Sequence, residues 1–397
     1  MDLGPPPGSL GGVCLERRTC DLGLECFRGI CLEPDMSIDA GWSPPPMTGR
    51  DGGVGSGRVD SGRPPPPPVG AGVVASGTGA LVAVFPVEAG LIVVDHELVR
   101  LLSREGTELA RFTTGREITA AAFDGTYLGI ADRAQLTSLR PDLTMVATGL
   151  LTRYCASAVI VSGHRFVCGP ENDWDRVFAT HDLTTAAELG VSSEYTYNGI
   201  PMRRVPGTDH FVTVTLDLSP SDFHLYTVGA DDLATFINES PYHGDFEATQ
   251  VFAFHGMPAT HLVNSQGVML RILGEGCAPG STLTSTCLVR DGDLGTLAVG
   301  ETYHAMTEDG AGSIYALRDE SRPWSSLDPF CDGDCTISRI DSAARTVVSS
   351  RAYADELVAI PVFEHDAWSS QVVLGVQTEG DRSDGYTAYE VRLAPYE

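Results

Sequence analysis

The chain contains no lysine; all 26 of its basic residues are arginine. That absence removes a phosphate-cradling loop with its lysine, a Schiff-base lysine and a serine–lysine nucleophile. Basic charge is scarce altogether, and the formal net charge is -27. Such a balance opposes a nucleic-acid partner, because a phosphate backbone needs a basic face. It also opposes electrostatic attachment to anionic lipid. No run approaches the roughly eighteen apolar residues of a spanning helix. The opening MDLGPPPGSLGG has neither the basic start nor the apolar core of an export signal, so a signal is expected to have been trimmed or the start misassigned.

Local catalytic signatures are missing too. His96-Glu97 begins the zinc-protease pattern HExxH, but Arg100 stands where the second histidine belongs. There is no G-x-S-x-G elbow and no sialidase Asp-box. GAGVVA, from Gly70 to Ala75, fits G-x-G-x-x-A, yet polyproline precedes it and a hairpin pattern follows, which is the wrong context for a dinucleotide. Asp291-Gly292-Asp293, Asp332-Gly333-Asp334 and Asp381 to Asp384 suggest calcium, but none completes a twelve-residue loop with its closing glutamate. Asp-Gly is also tight-turn chemistry. No cofactor and no catalytic residue is therefore expected, calcium at these turns being an ion weighed against that reading. His255 and His261 flank a strand end and could meet in space, as satisfied or exposed imidazoles.

What the chain does have is ten cysteines, every one with a near neighbour. Cys14, Cys20, Cys26 and Cys31 open it; Cys155 and Cys168, Cys277 and Cys287, and Cys331 and Cys335 follow as pairs. Close pairing of an even number predicts disulfides and an oxidising, extracytoplasmic compartment: secreted, periplasmic or cell-surface. The module 14–31 is too short to bury a core, so cross-links must hold it. Three pairings are possible, and Cys14–Cys26 with Cys20–Cys31 is favoured here. Zinc is the rival reading, but its usual CxxC pairs are absent.

Residues 32–68 contain SPPPM, GRDGGVGSGR and five consecutive prolines, Pro64 to Pro68. This composition predicts a disordered linker or stalk. From 69 to 397 short apolar or alternating runs dominate, among them ALVAVF, GLIVVD, YLGIA, FVTVT and YEVRL, and they read as strands. Aligned on their turns, they repeat: strand, short turn, strand. Turn centres fall near residues 77, 125, 163, 207, 266, 310 and 355. Their spacing averages roughly 46 residues, close to the period of a four-stranded blade. The fold expected is all-β: a propeller of seven four-stranded blades, with six or eight as alternatives because the unit between 207 and 266 is overlong. Such a ring leaves only short, protected edges.

The plan of four-cysteine module, Pro/Gly-rich spacer and blades resembles that of secreted or lipid-anchored β-propeller proteins of GC-rich bacteria. Through CDLGLEC and RGIC the module resembles the cysteine-rich repeats of Dickkopf-like proteins. These resemblances imply fold and compartment and carry over no functional residue. The function expected is non-catalytic binding, with loops at one end of the channel offered to a protein, peptide or glycan by a monomer. Trp174, between Asp173 and Asp175, is a candidate ligand contact, blade packing being its alternative. A carbohydrate hydrolase or lyase at the channel mouth, and a purely structural surface spacer, are the competing expectations.

Overall fold

A computed structural model of the chain describes residues 25–27, 30–32 and 72–396, apart from 170–176, 193–198, 216–222, 240–250, 256–259, 274–287, 296, 298–300, 321–329, 332–334, 354–357 and 382–384. Two units separate, Met1–Pro64 and Pro65–Glu397. In the first, Glu25–Phe27 and Ile30–Leu32 form an antiparallel hairpin in which Cys26 stands opposite Cys31. Cys14, Cys20 and residues 33–68 lie outside the described residues.

The second unit is a ring of seven four-stranded antiparallel blades, a β-propeller. Blades 1 to 6 occupy 81–113, 118–150, 157–191, 199–239, 251–293 and 301–353. Blade 7 takes three strands from 358–394 and its outermost from Val73–Thr78, which pairs with Gly385–Ala394. In blades 1 to 6 the first strand lies innermost and the fourth outermost. Successive inner strands touch around the ring, and Val358–Asp366 of blade 7 closes it against Leu81–Val87 of blade 1.

Position in the blade explains the residue patterns. A middle strand is covered on both faces by neighbouring blades, so Gly90–Asp95 (GLIVVD) and Leu98–Leu102 (LVRLL) are buried at every residue. Outermost strands are half-wetted, as ELARFT at Glu108–Thr113 illustrates. The core is accordingly built between blades rather than within them. Ala122 and Leu136 of blade 2 pack with Phe166 and Cys168 of blade 3, and Val84 and Leu91 of blade 1 with Val373 and Val391 of blade 7. Each such side chain contributes about 1.5–3 kcal/mol by leaving water. Gly129 of YLGIA is required here, because a Cβ would meet the Phe166 ring at 2.4 Å.

Every blade also carries a register shift in its outermost ladder, at Leu101/Leu102, Ser138/Leu139, Thr180/His181, Leu225/Tyr226, Val268/Leu270, Arg339/Ile340 and Val73/Ala75. A bulge there sharpens the twist of the edge strand and spoils it as a template for pairing with another chain.

Three of the expected turns fall differently. The turns near 125, 163, 207 and 310 do join first and second strands. The one near 77 instead links blade 7 to blade 1, because Val73–Thr78 closes the ring rather than opening a hairpin. That near 266 joins the second and third strands of blade 5, and that near 355 joins blade 6 to blade 7. Blade 6 departs from the plan through an insertion between its second and third strands. There Phe330–Cys331 reaches across to pair with Val358 and Ala359 of blade 7.

Candidate functional site

The inner strands enclose a lumen of about 300 Å³ on the axis, and all seven contribute to its wall. Most of the lining side chains are apolar, although more than half of the exposed wall is polar. Ala83, Ala121 and Ala158 keep it open by their small size, while Phe85 and Phe123, two residues further along their strands, narrow it with rings 5.7 Å apart. Three charged residues interrupt the apolar lining, on blades three apart in the ring: Arg203 and Arg204 on blade 4 and Glu364 on blade 7.

Strand alternation places Arg203. Its neighbour Met202 is buried between blades 3 and 4, so the next residue turns to the other side of the pleat. Arg203 keeps accessible surface, but that surface belongs to the lumen, where protein surrounds the side chain on every side. Desolvation lowers the pKa of its guanidinium, and the charge of Glu364 partly restores it. Among the described residues no hydrogen bond or ion pair holds Arg203; Glu364 acts on it from across the lumen.

Glu364 sits between the buried Phe363 and His365. The Thr307 hydroxyl of blade 6 donates to its Oε2 at 3.4 Å and accepts from the His365 N–H at 3.3 Å. Burial pushes its carboxyl up to about 7, against the opposing pull of Arg203 and the Thr307 bond. A carboxyl raised by burial, facing a guanidinium that no described residue bonds, is an arrangement suited to ligand recognition. Arg204 and His304 complete the polar part of the wall. Sequence reasoning missed both Arg203 and Glu364. The signal lay in the aligned units, where the inner strands, Arg204 and His304 apart, otherwise supply Ala, Val, Ile, Phe and Met to the lumen.

The residues expected from the sequence fall elsewhere. Cys155 and Cys168 are bridged, with Cα atoms 5.3 Å apart, in the core between blades 2 and 3. Cys335 is disulfide-bonded and buried at the start of the third strand of blade 6. Cys331 is in the short added strand; Cys277, Cys287 and Trp174 lie outside the described residues. The residues of GAGVVA from Val73 onward are in the closing strand of blade 7, with no helix after it.

His261 stacks on Phe254 and hydrogen-bonds Asp291 at 2.9 Å, and Arg345 of blade 6 takes the same carboxylate at 2.6 Å. Asp291 is thus engaged by two side chains. Residues 332–334 and 382–384 lie outside the described residues. Other aspartates have turn roles. Asp124 accepts from the N–H groups of Thr126 and Tyr127, Asp132 from Ala134 and Gln135, Asp309 from Ala311 and Ser313, and Asp341 from Ala343 and Ala344. Side-chain closure of tight turns accounts for these aspartates.

No family model and no curated protein matches the chain. Solved structures do. The β-propeller domain of Cps50 (Swd1) from Myceliophteria thermophila is similar over 79% of this chain and 98% of its own, at 10% identity and a TM-score of 0.53. Hydrazine synthase from Kuenenia stuttgartiensis is similar over 75% and 92%, at 8% identity and a TM-score of 0.51. BamB from Moraxella catarrhalis is similar over 81% and 99%, at 11% identity and a TM-score of 0.42. The likeness is one of fold.

Proposed function

We propose that the protein is a non-catalytic extracytoplasmic binding propeller that receives a small ligand on the axis of its ring. The observation that carries this reading is the lumen itself, an apolar cavity with an unpartnered arginine on one wall and one carboxyl on the other. Its volume is at the small end of ligand pockets. The Cys155–Cys168 bridge supports an oxidising compartment.

A protein, peptide or glycan, the partner classes expected from the sequence, would meet the loop faces, whereas the described geometry singles out the interior. The carbohydrate-hydrolase reading needs two carboxylates about 5–10 Å apart. Glu364 is the one carboxylate among the described residues lining the lumen, so a second would have to come from elsewhere.

The test is mass spectrometry of small molecules retained by the purified full-length chain from an extract of its culture medium. Ala121→Phe, which fills the lumen, serves as the comparison. Retention by the wild type that the variant loses supports the reading. Equal retention by both, or none by either, overturns it.

A further inference from the structure

The axial lumen resting on that binding reading has a chemistry that narrows its ligand further. The cavity is lined by two arginines, Arg203 and Arg204, by His304 and by one carboxyl, Glu364, among otherwise apolar side chains, and among the described residues no hydrogen bond or ion pair holds Arg203. A guanidinium presents a planar fork of donors that matches a carboxylate bidentately. Left alone in an apolar enclosure it lacks the anion that would offset its desolvation. Phe85, Phe123 and Met306 line the same space and suit a short hydrocarbon body.

We infer that the lumen binds a small apolar monocarboxylate, one carboxylate oxygen on Arg203 and the second toward the Glu364 carboxyl across the cavity. Charge decides between this and its rivals. With Glu364 protonated, Arg203 and the ligand sum to zero. With Glu364 ionised, its negative charge faces the ligand carboxylate across the lumen and opposes it, although Arg204 still adds a positive charge to the wall. A zwitterion or an amine would show the reverse dependence.

The titratable groups around Glu364 are Arg203 and Arg204 on blade 4, His304 on blade 6 and His365 on its own strand. The described lining from blades 1, 2, 3 and 5 contributes none. His365 stacks on Tyr315 with ring centroids 4.6 Å apart, and burial lowers its pKa, so it stays neutral where Glu364 titrates.

The experiment is isothermal titration of the full-length chain with 4-methylpentanoate, 4-methylpentan-1-ol, 3-methylbutylamine and leucine, at about pH 6 and about pH 8. The carboxylate should bind about tenfold more tightly at the lower pH, and the alcohol and amine should not bind. Arg203→Gln should lose at least about tenfold in affinity. Glu364→Gln, which donates at every pH, should keep the affinity and erase the pH dependence. Ala121→Phe should abolish binding, and it keeps the test open if Arg203→Gln does not fold.

Unchanged affinity in Arg203→Gln or Ala121→Phe, a preference for leucine or the amine, or no heat with the carboxylate overturns the inference. If the wild type still retains another compound that Ala121→Phe loses, the ligand class is wrong and axial binding stands. If it does not, both fail.

Discussion

The hydroxyl of Tyr389 donates to the carboxylate of Asp95 at 2.8 Å, joining the last blade to the first across 294 residues of chain. The same oxygen accepts from Arg100 at 2.6 Å, and Arg100 also donates to the Ser76 carbonyl of the closing strand. All three side chains are buried, and burial raises the Tyr389 pKa, so the phenol remains a donor. Tyr389→Phe should therefore cost about 1–3 kcal/mol, the penalty of leaving buried partners short of a bond. Urea denaturation measures it. An unchanged midpoint would show that water replaces the hydroxyl.

A second closure lies near the blade 7 hairpin turn. Arg104 of blade 1 grips Asp366 of blade 7 through two bonds of 2.7 and 2.8 Å, with the carboxylate fully buried. Burial alone would raise the Asp366 pKa, but bonds from Arg104, Ser369 and the Trp368 N–H hold it below the usual range. Removing one partner of such a pair costs about 3–5 kcal/mol, the loss expected for Arg104→Met at neutral pH. Because the folded pKa is depressed, this stability is present above the ordinary carboxylate range and lost as pH falls through the lowered value. The gap between wild type and variant should close in acid. A gap constant with pH would assign Arg104 a packing role only.

Glu364 gives the opposite sign. Its folded pKa of about 7 lies above the ordinary carboxyl value of 4.5. The folded state therefore favours the proton, and stability falls as pH rises from about 4.5 through 7. Glu364→Gln should remove this loss and stabilise the ligand-free protein at alkaline pH by up to about 3 kcal/mol. Thermal unfolding against pH reads the difference; parallel profiles would refute the assignment.

The bridge between Cys155 and Cys168 closes a separation of 13 residues, for which chain entropy gives about 3 kcal/mol. Replacing both by alanine should lower stability by that order. If the double variant matches the wild type, the bridge adds nothing beyond packing.

Deleting residues 1–71 should leave a propeller with a cooperative unfolding transition, whereas deleting 1–78 removes the closing strand. The longer deletion should broaden or abolish the transition, since the third strand of blade 7 loses its partner. Equal transitions would argue that closure is dispensable.

Much of this fold can be read from the chain because blades are local: YLGIA and its turn at 125 meet within one hairpin. The register was lost where contacts are remote. Val73–Thr78 has the pattern of any hairpin strand, and nothing nearby reveals a partner at 385–394. Long connections displaced the turns at 266 and 355. Arg203 and Glu364 were invisible for a related reason. Each is an ordinary surface charge until the ring brings blades 4 and 7 round one axis.

The closing strand also bears on biosynthesis. Val73–Thr78 leaves the ribosome about 310 residues before its partner Gly385–Ala394. At about 5–20 residues per second, tens of seconds separate the two. Throughout that interval the nascent ring is a row of blades with two unsealed ends, so a native propeller can exist only after Gly385–Ala394 has emerged to meet Val73–Thr78.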